Sequence, residues 1–214
     1  VIIGVILSVG FFYHQEGGLQ VQKIIVEGQD YLSKEDILSI SKVEKGDFVG
    51  DVSFDEIYNA LNENIWIHTS YIEWEDTKTI RIHIEEHDVV ARMKKKEWGV
   101  ILANGEWVIP KNRVYNLPVI QNNTQLNQAE IATFLSELKV ESSLYFEDLE
   151  KIIPIGMGQY QLKFNSWQGK ILFSTRQSLT LALHRLRKLK KNYFTEVAMA
   201  EELDLRFNGF VYLR

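Results

Sequence analysis

The chain has 214 residues, of which 45% are hydrophobic and 25% are charged, and its formal net charge is −5. These fractions are those of a folded globular protein, so they exclude a wholly disordered chain. It contains no cysteine, which excludes disulfides, thiolate catalysis and cysteine-based metal sites.

Charge is distributed unevenly along the chain. Residues 14–88 hold 6 Lys+Arg against 17 Asp+Glu, whereas residues 89–214 hold 18 against 12. This break predicts two domains with a boundary near Asp88. Basic and acidic residues are mixed in both parts, which argues against a nucleic-acid-binding protein.

The first thirteen residues, 1–13, are uncharged and almost wholly apolar. A spanning helix needs about 20 such residues. Three interpretations are open: the core of a signal peptide, a buried core helix, or the C-terminal part of a transmembrane helix. The aromatic residues 11–13 and the polar linker 14–20 favour the third, because aromatic side chains collect at membrane interfaces.

Residues 21–88 predict a βααββ domain. Residues 21–27 are strand-like, Ser33 and Ser53 are helix N-caps, each with an acidic residue three positions later, and residues 71–74 and 79–85 alternate as strands. Two helices packed on one face of a three-stranded sheet account for every apolar position.

One motif in the last of these strands suggests zinc chemistry. His83-Ile84-Glu85-Glu86-His87 matches the H-x-x-E-H pattern of a zinc hydrolase. That chemistry requires a helix, since only a helix places histidines four apart on one face. In a strand they lie about 13 Å apart. We therefore predict no metal site, no cofactor and no catalytic activity.

Residues 89–214 predict a mainly antiparallel β domain with flanking helices. Asn104-Gly105 predicts a hairpin with a type I′ turn between strands 98–103 and 106–109. Asn127 caps a helix from Gln128 to Lys139. Further strands are predicted at 151–155, 159–164 and 170–173.

A long basic helix is predicted to begin at Ser174 or Thr175 and to end at Asn192. Its leucines form one side, and arginines and lysines cover the rest. Three interpretations are open for the basic face: contact with anionic lipid, a solvated surface on a core helix, or contact with an acidic partner.

The tail, residues 203–213, alternates apolar and polar side chains and stays strand-like up to Arg214. A strand at a sheet edge has unpaired main-chain groups that a partner segment can use by β-addition. The alternative is a terminal strand that only completes the sheet.

The spacing of several residue groups resembles the FtsQ/DivIB family of bacterial cell division proteins. The matching groups, in chain order, are Ile24-x-Val26-x-Gly28, Leu32-Ser33-x-Glu35-Asp36-Ile37, Gly46-Asp47, Leu61-x-x-Asn64-x-Trp66-Ile67, Thr79-Ile80-x-Ile82-x-Ile84-x-Glu86, Val90-Ala91, Asn104-Gly105-Glu106, Leu117-Pro118 and residues 203–209. The sequence departs from the family at Ile65 and Val89, where proline is common.

The resemblance implies an α+β chain made of a membrane helix, a POTRA domain at 21–88 and a β domain at 89–214 that ends in an edge strand. It further implies a single-pass inner-membrane scaffold at the division septum, with most of the chain on the extracytoplasmic side. The family's tail binds FtsB, which is coiled with FtsL. The matching positions here are Arg206, Phe207, Asn208 and Gly209, and we extend the site through Phe210, Val211 and Tyr212. The alternative function is that of a POTRA-type chaperone for outer-membrane proteins.

Overall fold

The computed structural model describes residues 19–111, 116–121, 126–207 and 209–214. The predicted membrane segment 1–13, and residues 14–18 of the linker, lie outside the described residues. The chain divides into two compact units, Val1–His87 and Asp88–Arg214.

The first unit is a three-stranded sheet with two helices. Its elements are β1 Lys23–Glu27, α1 Lys34–Ser41, a 3₁₀ turn Val49–Asp51, α2 Phe54–Asn62, β2 Ile67–Asp76 and β3 Thr79–Glu86. The strand order is β1-β3-β2, in which β1 and β3 are parallel and β2 and β3 are antiparallel. This is the predicted βααββ arrangement.

The local sequence explains these elements. Ile80, Ile82 and Ile84 alternate along β3 and are buried, because successive side chains of a strand point to opposite faces. Ser33 caps α1 with a reciprocal capping box, in which its hydroxyl accepts from Asp36 N–H and the Asp36 carboxylate accepts from Ser33 N–H. Both predictions are confirmed.

The loop between β1 and α1 is held by one carboxylate. Glu86, at the end of β3, accepts hydrogen bonds from the backbone N–H groups of Asp30, Tyr31 and Leu32 at 2.8–3.2 Å. These are long-range contacts that satisfy donors which the turn leaves unpaired. They fasten the start of α1 to the sheet.

The second unit is a mainly antiparallel sheet with four helices in its described part. Its elements are β4 Val89–Lys94, β5 Trp98–Leu102, β6 Trp107–Val108, β7 Val119–Ile120, α3 Gln128–Glu141, α4 Ser143–Asp148, β8 Leu149–Gly156, β9 Gln159–Phe164, β10 Trp167–Ser174, α5 Leu179–Asn192, α6 Phe194–Met199, β11 Glu202–Asp204 and β12 Tyr212–Leu213. The strand order is β12-β11-β10-β9-β8-β7-β4-β5-β6. Parallel pairings join β4 to β7, β7 to β8 and β10 to β11.

Helices α3 and α5 supply much of the core of this unit. Phe134 of α3 lies in the same buried cluster as Leu183 and Leu186 of α5. The Phe134 and Phe173 rings are 4.9 Å apart between centroids, a separation at which aromatic rings attract. The core therefore holds α5 against the sheet and fixes where the next segment of chain begins.

The hairpin between β5 and β6 forms, but the predicted turn type is wrong. A type I′ turn needs positive φ at both central residues. Gly105 has a φ of +89°, and Asn104 is not among the described residues with positive φ. Leu102 C=O accepts from Gly105 N–H, and Leu102 N–H donates to Glu106 C=O. This is a three-residue loop, with a tight turn followed by a left-handed glycine.

The predicted start of the basic helix is also wrong. Ser174 belongs to β10, and α5 begins five residues later at Leu179, with Ser178 as its N-cap. The Ser178 hydroxyl accepts from Leu181 N–H at 3.4 Å. Ser174 is locally a good helix N-cap, but it pairs with Gln159 of β9 and is therefore part of the sheet.

Candidate functional site: the C-terminal hairpin

The chain after α6 folds into what we call the tail hairpin, residues 202–214, with β11 and β12 as its strands. β11 lies against β10, where Leu203 pairs with Ile171. Leu203 and Leu205 are buried, and Leu205 N–H donates to Leu172 C=O at 2.9 Å. The burial of Leu203 and Leu205 thus fixes β11 in the core, whereas β12 lies outside the core.

The sequence predicted one continuous strand through this segment, and that prediction is wrong. The described residues 205–207 and 209–211 are not in a strand, and β12 runs antiparallel to β11. Gly209 has a φ of +84°, a conformation that glycine adopts without steric cost. The reversal places β12, rather than the whole tail, at the sheet edge.

Asp204 and Arg206 hold the base of the loop together. Arg206 donates to both carboxylate oxygens of Asp204, from Nε at 2.9 Å and from Nη2 at 2.7 Å, and its Nη1 donates to Gln159 Oε1 at 3.0 Å. These hydrogen bonds lower the pKa of Asp204 below its ordinary value, although burial opposes the shift. The Arg206 guanidinium is therefore occupied within the protein.

Arg185 of α5 holds the tip of the loop. Its guanidinium donates to the carbonyl of Phe207 at 2.7 Å and to that of Phe210 at 3.4 Å, and it also donates to Gln177 Oε1 at 2.7 Å. Sequence reasoning assigned Arg185 only to the basic face of the helix. No local signal could have linked it to residues more than 20 positions away.

Aromatic side chains cover the outside of the hairpin. Phe207, Phe210 and Tyr212 are 50%, 66% and 55% exposed, and the Phe207 and Tyr212 rings meet edge to face with centroids 5.5 Å apart. Val211 packs against the core. Of the predicted site, the structure thus brings these residues together with Arg206 and Gly209, while Asn208 lies outside the described residues.

The main-chain geometry of β12 shows which of its groups face outward. Glu202 and Arg214 exchange two hydrogen bonds, N–H to C=O in each direction, both at 3.1 Å. In an antiparallel pair such bonded positions alternate with non-bonded ones. Tyr212 is therefore bonded to β11, and the N–H and C=O of Leu213 point away from it. Among the strands that the structure describes, β12 is the last of the sheet, so these groups lie at an open edge.

The two histidines of the H-x-x-E-H pattern, His83 and His87, have different surroundings in the structure. His83 faces outward on β3, whereas His87 follows the strand and lies beside His68, with ring centroids 4.9 Å apart. Burial, together with the nearby His68, lowers the pKa of His87 below its ordinary value. Within the described ranges, no three metal-ligating side chains converge on one point.

The helices of the described chain are too short or too polar to cross a bilayer. The predicted membrane segment, residues 1–13, lies outside the described residues.

Comparison with known proteins finds similarity in the first unit. Residues 19–87 match the family model described as POTRA domain, FtsQ-type. The cell division protein FtsQ of Rickettsia bellii is 32% identical over 76 residues, which is 36% of this chain and 28% of that protein. FtsQ of Rickettsia felis is 30% identical over 74 residues, or 35% of this chain and 28% of that protein.

The match to these relatives spans less than a third of their length. The residues matched by the family model, 19–87, coincide with the βααββ unit, whose elements run from Lys23 to Glu86. Residues 19–87 therefore form an FtsQ-type POTRA domain, and over about a third of its length the chain is similar to FtsQ cell division proteins.

Proposed function

We propose that this chain is a scaffold of the bacterial cell division machinery. The support is the FtsQ-type POTRA domain, shared with relatives named as cell division proteins, in one chain with a mainly antiparallel β unit. In this proposal the chain is a single-pass protein of the inner membrane at the septum. Residues 1–13 are the C-terminal part of its membrane helix, and the remainder is extracytoplasmic. The role is binding, without a catalytic step or a cofactor.

The tail hairpin is the proposed recruiting site for FtsB and FtsL. The single observation that carries this proposal is the open edge of β12, where Leu213 directs its main-chain groups outward. A partner strand added there forms main-chain hydrogen bonds, each of which contributes about 0.5–1.5 kcal/mol. Phe210 and Tyr212 lie beside the edge and provide exposed aromatic anchors, the kind of residue that dominates binding interfaces.

The seven predicted residues take different roles in this site. Phe207, Phe210, Val211 and Tyr212 form or support the binding surface. Arg206 fixes the base of the hairpin through Asp204, and Gly209 allows the reversal of the chain through its positive φ. Asn208 lies outside the described residues and stays a predicted member of the site. Arg206 is thus proposed as a positioning residue rather than a partner contact.

The test is co-purification of the full chain with the extracytoplasmic parts of FtsB and FtsL, using the substitution Leu213→Pro. Proline removes the outward N–H and leaves the bonds of Tyr212 and Arg214 to β11 in place. We expect Leu213→Pro to abolish co-purification. Leu213→Ala is the matched control, because it removes the side chain and keeps the donor, and it should bind nearly as well as the unmodified chain.

Two results would contradict the proposal. Equal binding by the proline and alanine variants would show that the partner does not use the β12 edge. Absence of binding by the unmodified chain would instead favour a POTRA-type chaperone for outer-membrane proteins. Circular dichroism of each variant checks that the fold is retained.

A further inference from the structure

A second exposed surface lies where α5 ends and α6 begins. We call this surface, residues 187–199, the α5–α6 corner. Phe194 and Met199 of α6 are 74% and 80% exposed, and Tyr193 between the helices is 53% exposed. Large apolar side chains grouped at this level of exposure are unusual on a protein surface without a binding function.

The helix α6 is held to the protein by a narrow contact. Val197 is buried in the core and Ala200, just after the helix, is partly buried, whereas Phe194 and Met199 are exposed. Tyr193 joins the two helices through its main chain. Its N–H donates to Leu189 C=O of α5 at 2.8 Å, and its C=O accepts from Val197 N–H of α6 at 3.0 Å. The corner is thus anchored from within and presents its larger apolar groups outward.

The last turns of α5 place cations beside these apolar groups. Lys188 and Lys191 are exposed, and neither makes an ion pair within the described part of the chain. Lys190 lies over the ring of Tyr145, with its Nζ 5.1 Å from the ring centroid, and Arg187 donates to Glu141 C=O at 3.4 Å. Two lysines therefore remain available to a partner.

We propose that the α5–α6 corner is a contact surface for an anionic lipid bilayer. Aromatic side chains favour the interfacial region of a membrane, and lysines flanking them reach anionic headgroups while their aliphatic stems lie along apolar surface. A helix with one apolar face and a basic flank lies in the interface plane. Glu196 is the acidic residue of this surface and Glu201 follows it, and both limit how deeply α6 enters.

The chemistry favours a bilayer over an acidic protein partner. A ligand recognised by charge alone, such as an acidic polymer, would engage the lysines and leave Phe194 and Met199 in water. A bilayer uses both groups at once, because its surface is anionic and its interior accepts apolar side chains. The proposal does not depend on the tail hairpin.

The absence of cysteine in the sequence gives a direct test. The substitution Phe194→Cys, labelled with the environment-sensitive dye NBD, reports the surroundings of that position in the full chain. We expect blue-shifted emission with vesicles containing 30% phosphatidylglycerol, quenching by doxyl-labelled lipid, and little response to pure phosphatidylcholine. The matched control is Val140→Cys on α3, which is 87% exposed and should remain in water.

Three further variants, each made in the NBD-labelled Phe194→Cys protein, test the chemistry. Lys188→Gln with Lys191→Gln should weaken the response about 25-fold, at about five-fold for each lysine. Lys94→Gln with Lys96→Gln removes the same charge elsewhere and should weaken it less than three-fold. Met199→Ser should weaken it at least several-fold, through the loss of apolar contact.

Three results would overturn the proposal. One is a label at position 194 that stays in water with anionic vesicles. Another is an equal loss in the two lysine pairs, which would indicate only a long-range effect of net charge. The third is a response to poly-L-glutamate as large as that to vesicles, which would show that an acidic polymer is the better ligand.

Discussion

Arg185 offers the most informative single perturbation of the candidate site. It belongs to α5, yet its guanidinium bonds two carbonyls of the hairpin loop, those of Phe207 and Phe210. In the substitution Arg185→Ala both carbonyls lose their donor, and α5 and the core are expected to stay intact. We therefore predict that the tail hairpin opens more often while the rest of the second unit remains folded.

The magnitude follows from the geometry. A hydrogen bond to a charged group contributes about 1.5–3 kcal/mol. The bond to Phe207 is short, at 2.7 Å, whereas that to Phe210 is 3.4 Å long. Arg185 is partly exposed, so we take the lower end of the range. The free energy of opening the hairpin should fall by about 1–2 kcal/mol, which raises the open population about 5–30-fold.

Amide hydrogen exchange measures this opening at the relevant bonds. The Arg214 N–H donates to Glu202 C=O and reports whether β12 is closed on β11. The Leu205 N–H donates to Leu172 C=O and reports whether β11 is closed on β10. In Arg185→Ala we expect exchange at Arg214 to rise about 5–30-fold and exchange at Leu205 to change little.

Arg187→Ala is the matched control, because it removes the same side chain from the same helix. Arg187 donates to Glu141 C=O at 3.4 Å and makes no described bond to the hairpin. Unchanged exchange at Arg214 in Arg185→Ala would refute the reasoning. So would an equal increase in Arg187→Ala, since it would mean that the loss of a cation on α5, rather than the loop contact, controls the hairpin.

Two further predictions concern the first unit. The pKa of His87 is lowered in the folded protein, so the unfolded chain binds a proton there more readily. The free energy of unfolding should therefore decline as the pH falls below about 6.5. In urea melts, His87→Gln should flatten this pH dependence. Gly28→Ala and Gly46→Ala both place alanine at positive φ. The new Cβ at position 28 would lie 2.0 Å from the carbonyl oxygen of Ile84 in β3, whereas the new Cβ at position 46 would meet nothing within 4 Å. We expect a cost of about 1–2 kcal/mol for Gly46→Ala and a clearly larger one for Gly28→Ala, and equal melting temperatures would count against this contact.

The sequence by itself determined the features that depend on local pattern. The alternation of Ile80, Ile82 and Ile84 predicted a strand with one buried face, and the structure confirms it. Ser33 and Asp36 predicted the start of α1, because a capping box involves only residues three apart. The spaced residues of the first domain were sufficient to indicate the FtsQ-type POTRA fold.

The candidate site shows where local pattern was insufficient. The alternation of residues 203–213 is compatible with one long strand or with a hairpin, since both bury Leu203 and Leu205. The choice is made by Arg185 from α5 and by Gln159 from β9, which bond the loop and Arg206. Arg185 is 22 positions from Phe207, and Gln159 is 47 positions from Arg206. A repeating local pattern cannot predict contacts over such separations.

The same reason accounts for the displaced helix start. Ser174 and Ser178 are both acceptable N-caps, and only the pairing of Ser174 with Gln159 in the sheet decides between them. Period and capping are properties of neighbouring residues, so the sequence could determine most of the helices and strands and the resemblance of the first domain to an FtsQ-type POTRA domain. Contacts between distant segments decide which sheet edge is open and which side chains position the tail hairpin. Those contacts exist only once the chain has packed.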